Sequence, residues 1–150
     1  MAKALVVYYS KFGNTEKIAK AVAAGLQSGG MEADIAKFDA VNYDDLGHID
    51  LLCVGTPVHT WNVSKPAKEF LERLKELEGL SGKMAFAFDT KFKSRMAGSA
   101  GGKVEKKLKE LGFAIAKPAK SANALGNEGP LEEGAEETFK RIGEELASVL

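Results

Sequence analysis

The sequence predicts an α/β protein whose parallel sheet is covered by helices on both faces. Short apolar runs recur along the chain, and segments with apolar residues at helical spacing stand between them. Apolar runs without polar alternation are typical of parallel strands buried on both faces, and their alternation with helices implies right-handed crossovers. The 150 residues, of which 45% are hydrophobic, suit one domain spanning residues 1–150.

Five runs are predicted as strands. The first has apolar residues at both odd and even positions. The second alternates between apolar and polar residues and is expected nearer an edge of the sheet. The run between the second and third strands is polar and rich in turn-forming residues. The five predicted strands span residues 4–9, 33–38, 49–54, 84–88 and 113–116.

Four segments are predicted as helices. Gly29 and Gly30 end the first one, Pro66 opens the second, and Gly129-Pro130 begins the last. The inward positions in chain order are Ile18, Val22 and Leu26; Ala67, Phe70, Leu71, Leu74 and Leu77; Val104, Leu108 and Leu111; Ala135, Phe139, Ile142, Leu146 and Val149.

Charge and composition exclude several classes of protein. The 21 basic and 21 acidic side chains cancel, so neither nucleic acid nor a membrane is expected as a partner. The single cysteine, Cys53, has no disulfide partner within the chain and is expected to be an inert core thiol. His48 and His59 have no second ligand at metal-binding spacing. With no signal peptide and no long apolar stretch, a soluble, cytoplasmic protein is expected.

Three loops are the expected place of the chemistry. In open parallel sheets, ligands bind beyond the carboxyl ends of the strands, where the winding direction reverses. The loops there follow the first, third and fourth predicted strands, and we refer to them as the first, second and third loops. They span residues 10–15, 55–64 and 89–102.

The first loop has the composition of a phosphate-binding turn. Ser10, Asn14 and Thr15 supply side-chain donors, Gly13 leaves room for an anion, and a helix begins directly afterwards. A plain strand-to-helix turn, with Asn14 or Thr15 as the N-cap, explains the same residues. Both interpretations stay open on these residues alone.

Two common nucleotide motifs are absent. Lys103 of the Gly102-Lys103 pair is followed by Val104, and Ala97 stands where a P-loop needs its first glycine. No G-x-G-x-x-G follows the first strand. ATP, GTP and Rossmann-type NAD binding are therefore disfavoured.

Taken together, the loops resemble those of the flavodoxin family, in particular small flavodoxin-like FMN-binding proteins. The matching segments are Ser-x-x-Gly-Asn-Thr at 10–15, Val-Gly-Thr-Pro-Val-His at 54–59, Phe-Asp-Thr at 88–90 with the glycines of 98–102, and Gly-Asn-Glu-Gly-Pro-Leu at 126–131. The resemblance implies a flavodoxin-like doubly wound five-stranded parallel sheet in the order 2-1-3-4-5, within a three-layer α/β/α architecture. It also implies FMN as the cofactor.

The resemblance further implies which residues would bind FMN. Trp61 would stack on the flavin ring, although packing on the following helix is the alternative for this side chain. The phosphate residues would be Ser10, Lys11, Phe12, Gly13, Asn14 and Thr15. The residues lining the ring would be Thr56, Pro57, Val58, His59, Thr60 and Trp61, with Asp89, Thr90, Lys91 and Phe92 on its other side.

Three functions follow as hypotheses. The leading one is an FMN electron carrier, monomeric or weakly dimeric, that exchanges electrons with a partner protein or a small donor or acceptor. It needs no catalytic side chain, because the flavin supplies the chemistry. The second is an NAD(P)H-dependent quinone or azo reductase on the same fold. The third is an interaction module without flavin, which the intact first loop disfavours.

Overall fold

The computed structural model describes residues 2–10, 13–59, 62–92, 100–125 and 130–149, and of residues 59, 62, 63 and 92 the backbone alone. Seven strands and four α-helices make up the described chain. The strands are β1 (Lys3–Tyr8), β2 (Glu32–Lys37), β3 (Leu51–His59), β4 (Asn62–Val63), β5 (Met84–Phe92), β6 (Ala114–Ile115) and β7 (Lys120–Ala124). The helices are α1 (Asn14–Ser28), α2 (Lys65–Leu74), α3 (Gly101–Glu110) and α4 (Ala135–Ser148), with 3₁₀ turns at Phe38–Ala40 and Tyr43–His48.

The sheet has the predicted order. Its path is β2-β1-β3-β5-β6, and every pair along it is parallel. Strand β7 pairs with the carboxyl-terminal half of β5 and β6 with its start, so the two short strands share the fifth position. The order 2-1-3-4-5 is therefore confirmed, with β4 added as an antiparallel partner of β3.

Helices cover both faces, as predicted. Val6 packs in a cluster with the buried residues of α1 and α4, whereas its neighbour Val7 packs with those of α2 and α3. This switch at each residue is what a strand buried on both faces requires. Cys53 is wholly buried in β3, where burial raises the pKa of its thiol well above the usual range.

Helices α1 and α4 approach closely at two glycines. A Cβ at Gly25 would lie 1.9 Å from the carbonyl oxygen of Lys140, and one at Gly143 would lie 2.3 Å from that of Val22. Both positions therefore exclude any side chain, and the contact fixes α1, whose first turn carries part of the candidate site.

The structure corrects several predicted boundaries. Strands β3 and β5 run past the predicted ends at residues 54 and 88, because Pro57 pairs with Thr90 and Val58 pairs with Val63 of β4. The predicted fifth strand, 113–116, shrinks to β6, and the unpredicted β7 continues the sheet after a break.

Four helix ends also differ from prediction. The last helix begins at Ala135, because Gly134 adopts a left-handed backbone (φ 83°) at the N-cap. Val149, predicted to point inward, lies past the end of α4 and is 52% exposed. Leu77 and Leu111 follow the ends of α2 and α3 and pack half-buried against the core instead of within a helix.

Candidate cofactor site

The first loop ends in an unusual helix start. Gly13 is the N-cap of α1 and has a left-handed backbone (φ 92°), a conformation that favours glycine. Its N–H donates to Ser10 Oγ at 2.9 Å, and its carbonyl accepts the first helical bond from Lys17 N at 3.1 Å. The N-cap is therefore neither Asn14 nor Thr15, which are the candidates in the alternative interpretation of this loop.

This start suits an anion. Among the described residues, no side chain forms a cap hydrogen bond at the N-terminus of α1, so the first amides of the helix keep their donor capacity toward these residues. A helix N-terminus also carries partial positive charge, and a Gly13 Cβ would meet no atom of the described residues within 4 Å. The donor set fits the phosphate of FMN. Lys11 and Phe12, assigned to the same loop, lie outside the described residues.

Asn14 and Thr15 are buried in the first turn of α1, with exposures of 8% and 1%. Thr15 Oγ1 lies 2.7 Å from Thr90 Oγ1, which belongs to the third loop. The first and third loops are therefore joined by a buried pair of hydroxyls.

A further hydrogen bond joins the first turn of α1 to β1. Tyr8 donates to Glu16 Oε1 at 2.9 Å. Burial and this hydrogen bond raise the pKa of Tyr8 to about 12. The same bond, together with the ion pair to Lys20, lowers the pKa of Glu16. The acidic side chain of the first turn is thereby held by Tyr8 and Lys20.

The second loop is a hairpin. Strand β3 continues to His59, turns, and pairs with β4 through Val58↔Val63 and His59↔Asn62. Thr56 and Ser64, both fully buried, close its base with their hydroxyl oxygens 2.6 Å apart. Thr60 and Trp61 lie outside the described residues, as does the side chain of His59.

The third loop begins at a buried carboxylate. Asp89 Oδ2 accepts from Gly101 N at 2.7 Å, at the start of α3. A Cβ at Gly101 would lie 3.0 Å from that oxygen, so a glycine allows the short bond. Lys91 is half-buried, and of Phe92 the backbone alone is described. Residues 93–99 lie outside the described part of the chain.

Strand register brings the three loops to one edge of the sheet. Thr56 pairs with Asp89 and Pro57 with Thr90, while Tyr9 N donates to Gly55 O at 3.2 Å. The described members of the predicted set thus meet at the carboxyl ends of β1, β3 and β5, where a doubly wound sheet binds its ligand.

A neighbouring cleft was not predicted from the sequence. It has a volume of about 600 Å³ and lies between the carboxyl ends of β1 and β2 and helix α2. Tyr9, Phe38, Tyr43 and Phe70 contribute aromatic walls, and Arg73 lies 4.3 Å over the Tyr43 ring. Its aromatic residues are dispersed in the sequence, so only the fold reveals it.

Two further observations concern the described residues alone. Among them, no three or more His, Cys, Asp or Glu side chains form a group that could hold a metal ion. In the same ranges, no helix has both the length and the apolar character that crossing a membrane requires.

Comparison with known proteins identifies the family. The flavodoxin family model matches residues 6–142. A probable flavodoxin 2 of Bacillus subtilis (strain 168) is 34% identical over 127 residues, which are 79% of this chain and 80% of that protein. An NAD(P)H dehydrogenase (quinone) of Methylocella silvestris is 32% identical over 111 residues, covering 59% of this chain and 56% of that protein.

The chain spans about half the length, 50 to 56%, of three of the curated relatives that it matches. Among solved structures, the oxidised flavodoxin 1 of Bacillus cereus superposes with a TM-score of 0.85, at 20% identity and with 99% of each chain covered. That likeness bears out the fold. The extent of the family match shows that this chain belongs to the flavodoxin family, whose cofactor is FMN.

Proposed function

We propose that this protein is an FMN-dependent electron carrier. The observation that carries the proposal is the start of α1, where the left-handed Gly13 and the absence of a side-chain cap within the described residues leave the first helix amides available to an anion. This start stands at the sheet edge where the second and third loops also meet. Membership of the flavodoxin family agrees with it.

In this proposal, the protein binds and orients the flavin, and FMN supplies the electron chemistry when bound. Ser10, Gly13, Asn14 and Thr15 hold the phosphate, together with Lys11 and Phe12. The hairpin residues Thr56, Pro57, Val58, His59, Thr60 and Trp61 line one side of the ring, and Asp89, Thr90, Lys91 and Phe92 line the other. No side chain acts as a general acid or base.

The proposal also covers the domain organisation, oligomeric state, partners and location of the protein. We infer that residues 1–150 form one flavodoxin-like domain, monomeric or weakly dimeric, whose partner is a redox protein or a small electron donor or acceptor. A cytoplasmic location is part of the proposal. It is supported by Cys53, a lone thiol buried in β3 that needs no oxidising compartment.

The test begins with FMN-reconstituted protein reduced stepwise by dithionite without oxygen. The reduced protein is then mixed with cytochrome c, a haem protein that accepts single electrons. Rapid reduction of the haem, faster than with the same concentration of free reduced FMN, supports an electron carrier. A flavin spectrum unchanged by the protein would refute FMN binding.

A second candidate function is an NAD(P)H-dependent quinone or azo reductase. The observation that favours it is the cleft beside the first loop, because about 600 Å³ with aromatic walls suits a small planar substrate. The relative named NAD(P)H dehydrogenase (quinone) points in the same direction.

The two candidates differ in how they take electrons. A reductase would oxidise NADH or NADPH without another protein and pass both electrons to a benzoquinone, with the rate saturating in each substrate. An electron carrier would leave NAD(P)H unchanged until a separate reductase is added. Absorbance at 340 nm, followed with and without quinone, distinguishes them.

A further inference from the structure

The hydroxyl pair of Thr15 and Thr90 joins two loops that are distant in sequence. The two oxygens lie 2.7 Å apart, and the side chains are 75 residues apart along the chain. Thr15 is 1% exposed and Thr90 is 6% exposed. The contact is therefore shielded from bulk water. In such a buried site, a hydrogen bond between two hydroxyls has a defined geometry.

The fold holds Thr90 firmly in place. Strand β5 is paired on both sides at this point, because Thr90 pairs with Pro57 of β3 and with Ala122 of β7. Thr90 follows Phe88 on the same face of the strand, the face that packs against α1. Its hydroxyl is thus presented to the first turn of α1 by the middle of the sheet.

The direction of this hydrogen bond matters for an anion. A hydroxyl has one proton and two lone pairs, so only one of the two threonines donates. If Thr15 donates to Thr90, no proton of Thr15 is left for a phosphate, and a lone pair faces the anion instead. If Thr90 donates, the proton of Thr15 is free to point at a phosphate oxygen.

We propose that Thr90 is a positioning residue for the FMN phosphate: it donates to Thr15 and so turns the Thr15 proton toward the phosphate. This inference rests on the proposed phosphate site in the first loop. It assigns Thr90 to the phosphate end of the cofactor, acting through Thr15, rather than to the ring side alone.

The test compares FMN with riboflavin, which lacks the phosphate. Dissociation constants of the apoprotein for both ligands are measured by quenching of flavin fluorescence. Thr90→Val should weaken FMN binding, because the Thr15 hydroxyl is then no longer held with its proton toward the phosphate. The loss should reach at most about tenfold, the value for one charge-assisted hydrogen bond, and riboflavin binding should stay within twofold. Thr90→Ser keeps the hydroxyl and should restore the FMN affinity to within about threefold.

A double-mutant cycle distinguishes the action of Thr90 through Thr15 from a general effect of the substitution on the structure. In a Thr15→Val background, Thr90→Val should cost no further FMN affinity, because the residue through which it acts is gone. If Thr90→Val does not fold, Thr90→Ala replaces it in the same cycle, with the same expected loss.

Two outcomes would overturn the inference: an equal loss of FMN and riboflavin binding in Thr90→Val, or a loss that persists in the Thr15→Val background. A wild-type protein that binds FMN no more tightly than riboflavin would refute the phosphate site itself. A failure of the proposed role of Thr90 and a failure of the proposed phosphate site therefore give different results.

Discussion

Thr56 Oγ1 and Ser64 Oγ lie 2.6 Å apart at the base of the second-loop hairpin. Thr56 Oγ1 also donates to Pro57 O at 3.0 Å and accepts from Ser64 N at 3.4 Å. Ser64 is the N-cap of α2, yet it forms no side-chain cap bond there. Its hydroxyl instead contacts Thr56, so the pair fixes the hairpin relative to the helix that follows it.

We predict that Thr56→Val destabilises the protein by about 1–3 kcal/mol, because the buried hydroxyl of Ser64 would lose its partner. Urea unfolding of the apoprotein measures the change, and limited proteolysis shows whether cleavage moves into residues 57–63. Thr56→Ser, which keeps the hydroxyl, is the matched control and should lose less than half as much. Equal stability of Thr56→Val and wild type would contradict the role of this pair.

The close contact of α1 and α4 gives a second prediction. Gly25→Ala should destabilise the protein by about 3 kcal/mol, because the new methyl would overlap the carbonyl oxygen of Lys140. This outweighs the gain of up to about 1 kcal/mol that alanine brings to a helix. Gly47→Ala is the control, since a Cβ there meets nothing within 4 Å. Equal free energies of unfolding for Gly25→Ala and Gly47→Ala would disprove the overlap.

The sequence predicts the parts of the fold that depend on local burial. The spacing of Ile18, Val22 and Leu26 places α1, and all three are fully buried. Strand β7, with the sequence Lys-Ser-Ala-Asn-Ala, contains no β-branched or aromatic residue and is a strand because β5 offers it a free edge. Pairing between remote segments cannot be read from local composition, and it also explains the extended ends of β3 and β5.

In the candidate site, too, the local features could be predicted from the sequence and the contacts between remote segments could not. The motif at residues 10–15 predicts where a phosphate would bind, because glycine and hydroxyl residues at a helix start carry that chemistry locally. The Thr15–Thr90 contact requires the register of β5 against β3, which the motif does not contain. The left-handed Gly13 as N-cap was likewise hidden, since Asn14 and Thr15 are the stronger capping residues by type.

The burial of Tyr8, together with its hydrogen bond to Glu16, predicts a dependence of stability on alkaline pH. The pKa of Tyr8 is raised from 10 to about 12 in the folded protein, so its contribution is complete below pH 10 and is lost as pH rises toward 12. At about 1.4 kcal/mol per pKa unit, the loss is roughly 2–3 kcal/mol.

Tyr8→Phe tests this prediction, because phenylalanine keeps the ring and cannot ionise. At pH 8 the variant should be less stable than wild type by about 1 kcal/mol, through loss of the hydrogen bond. Between pH 10 and 12 the difference in the free energy of unfolding should shrink and then change sign. A constant difference over this range would show that the Tyr8 pKa is not raised by folding.

The backbone of Gly13 provides the last prediction. Gly13 and Gly30 have left-handed φ values of 92° and 96°, and within the described part of the chain a Cβ at either meets nothing within 4 Å. Alanine at either position should therefore cost a similar 1–2 kcal/mol of backbone strain, measured by urea unfolding of the apoprotein. Only Gly13→Ala should also weaken FMN binding, by about tenfold, because relief of the strain would turn the Gly13 amide away from Ser10 and disturb the anion site. Gly30, which follows α1 at its other end, is the matched control. If both variants bind FMN as wild type does in a fluorescence titration, the first loop does not hold the phosphate.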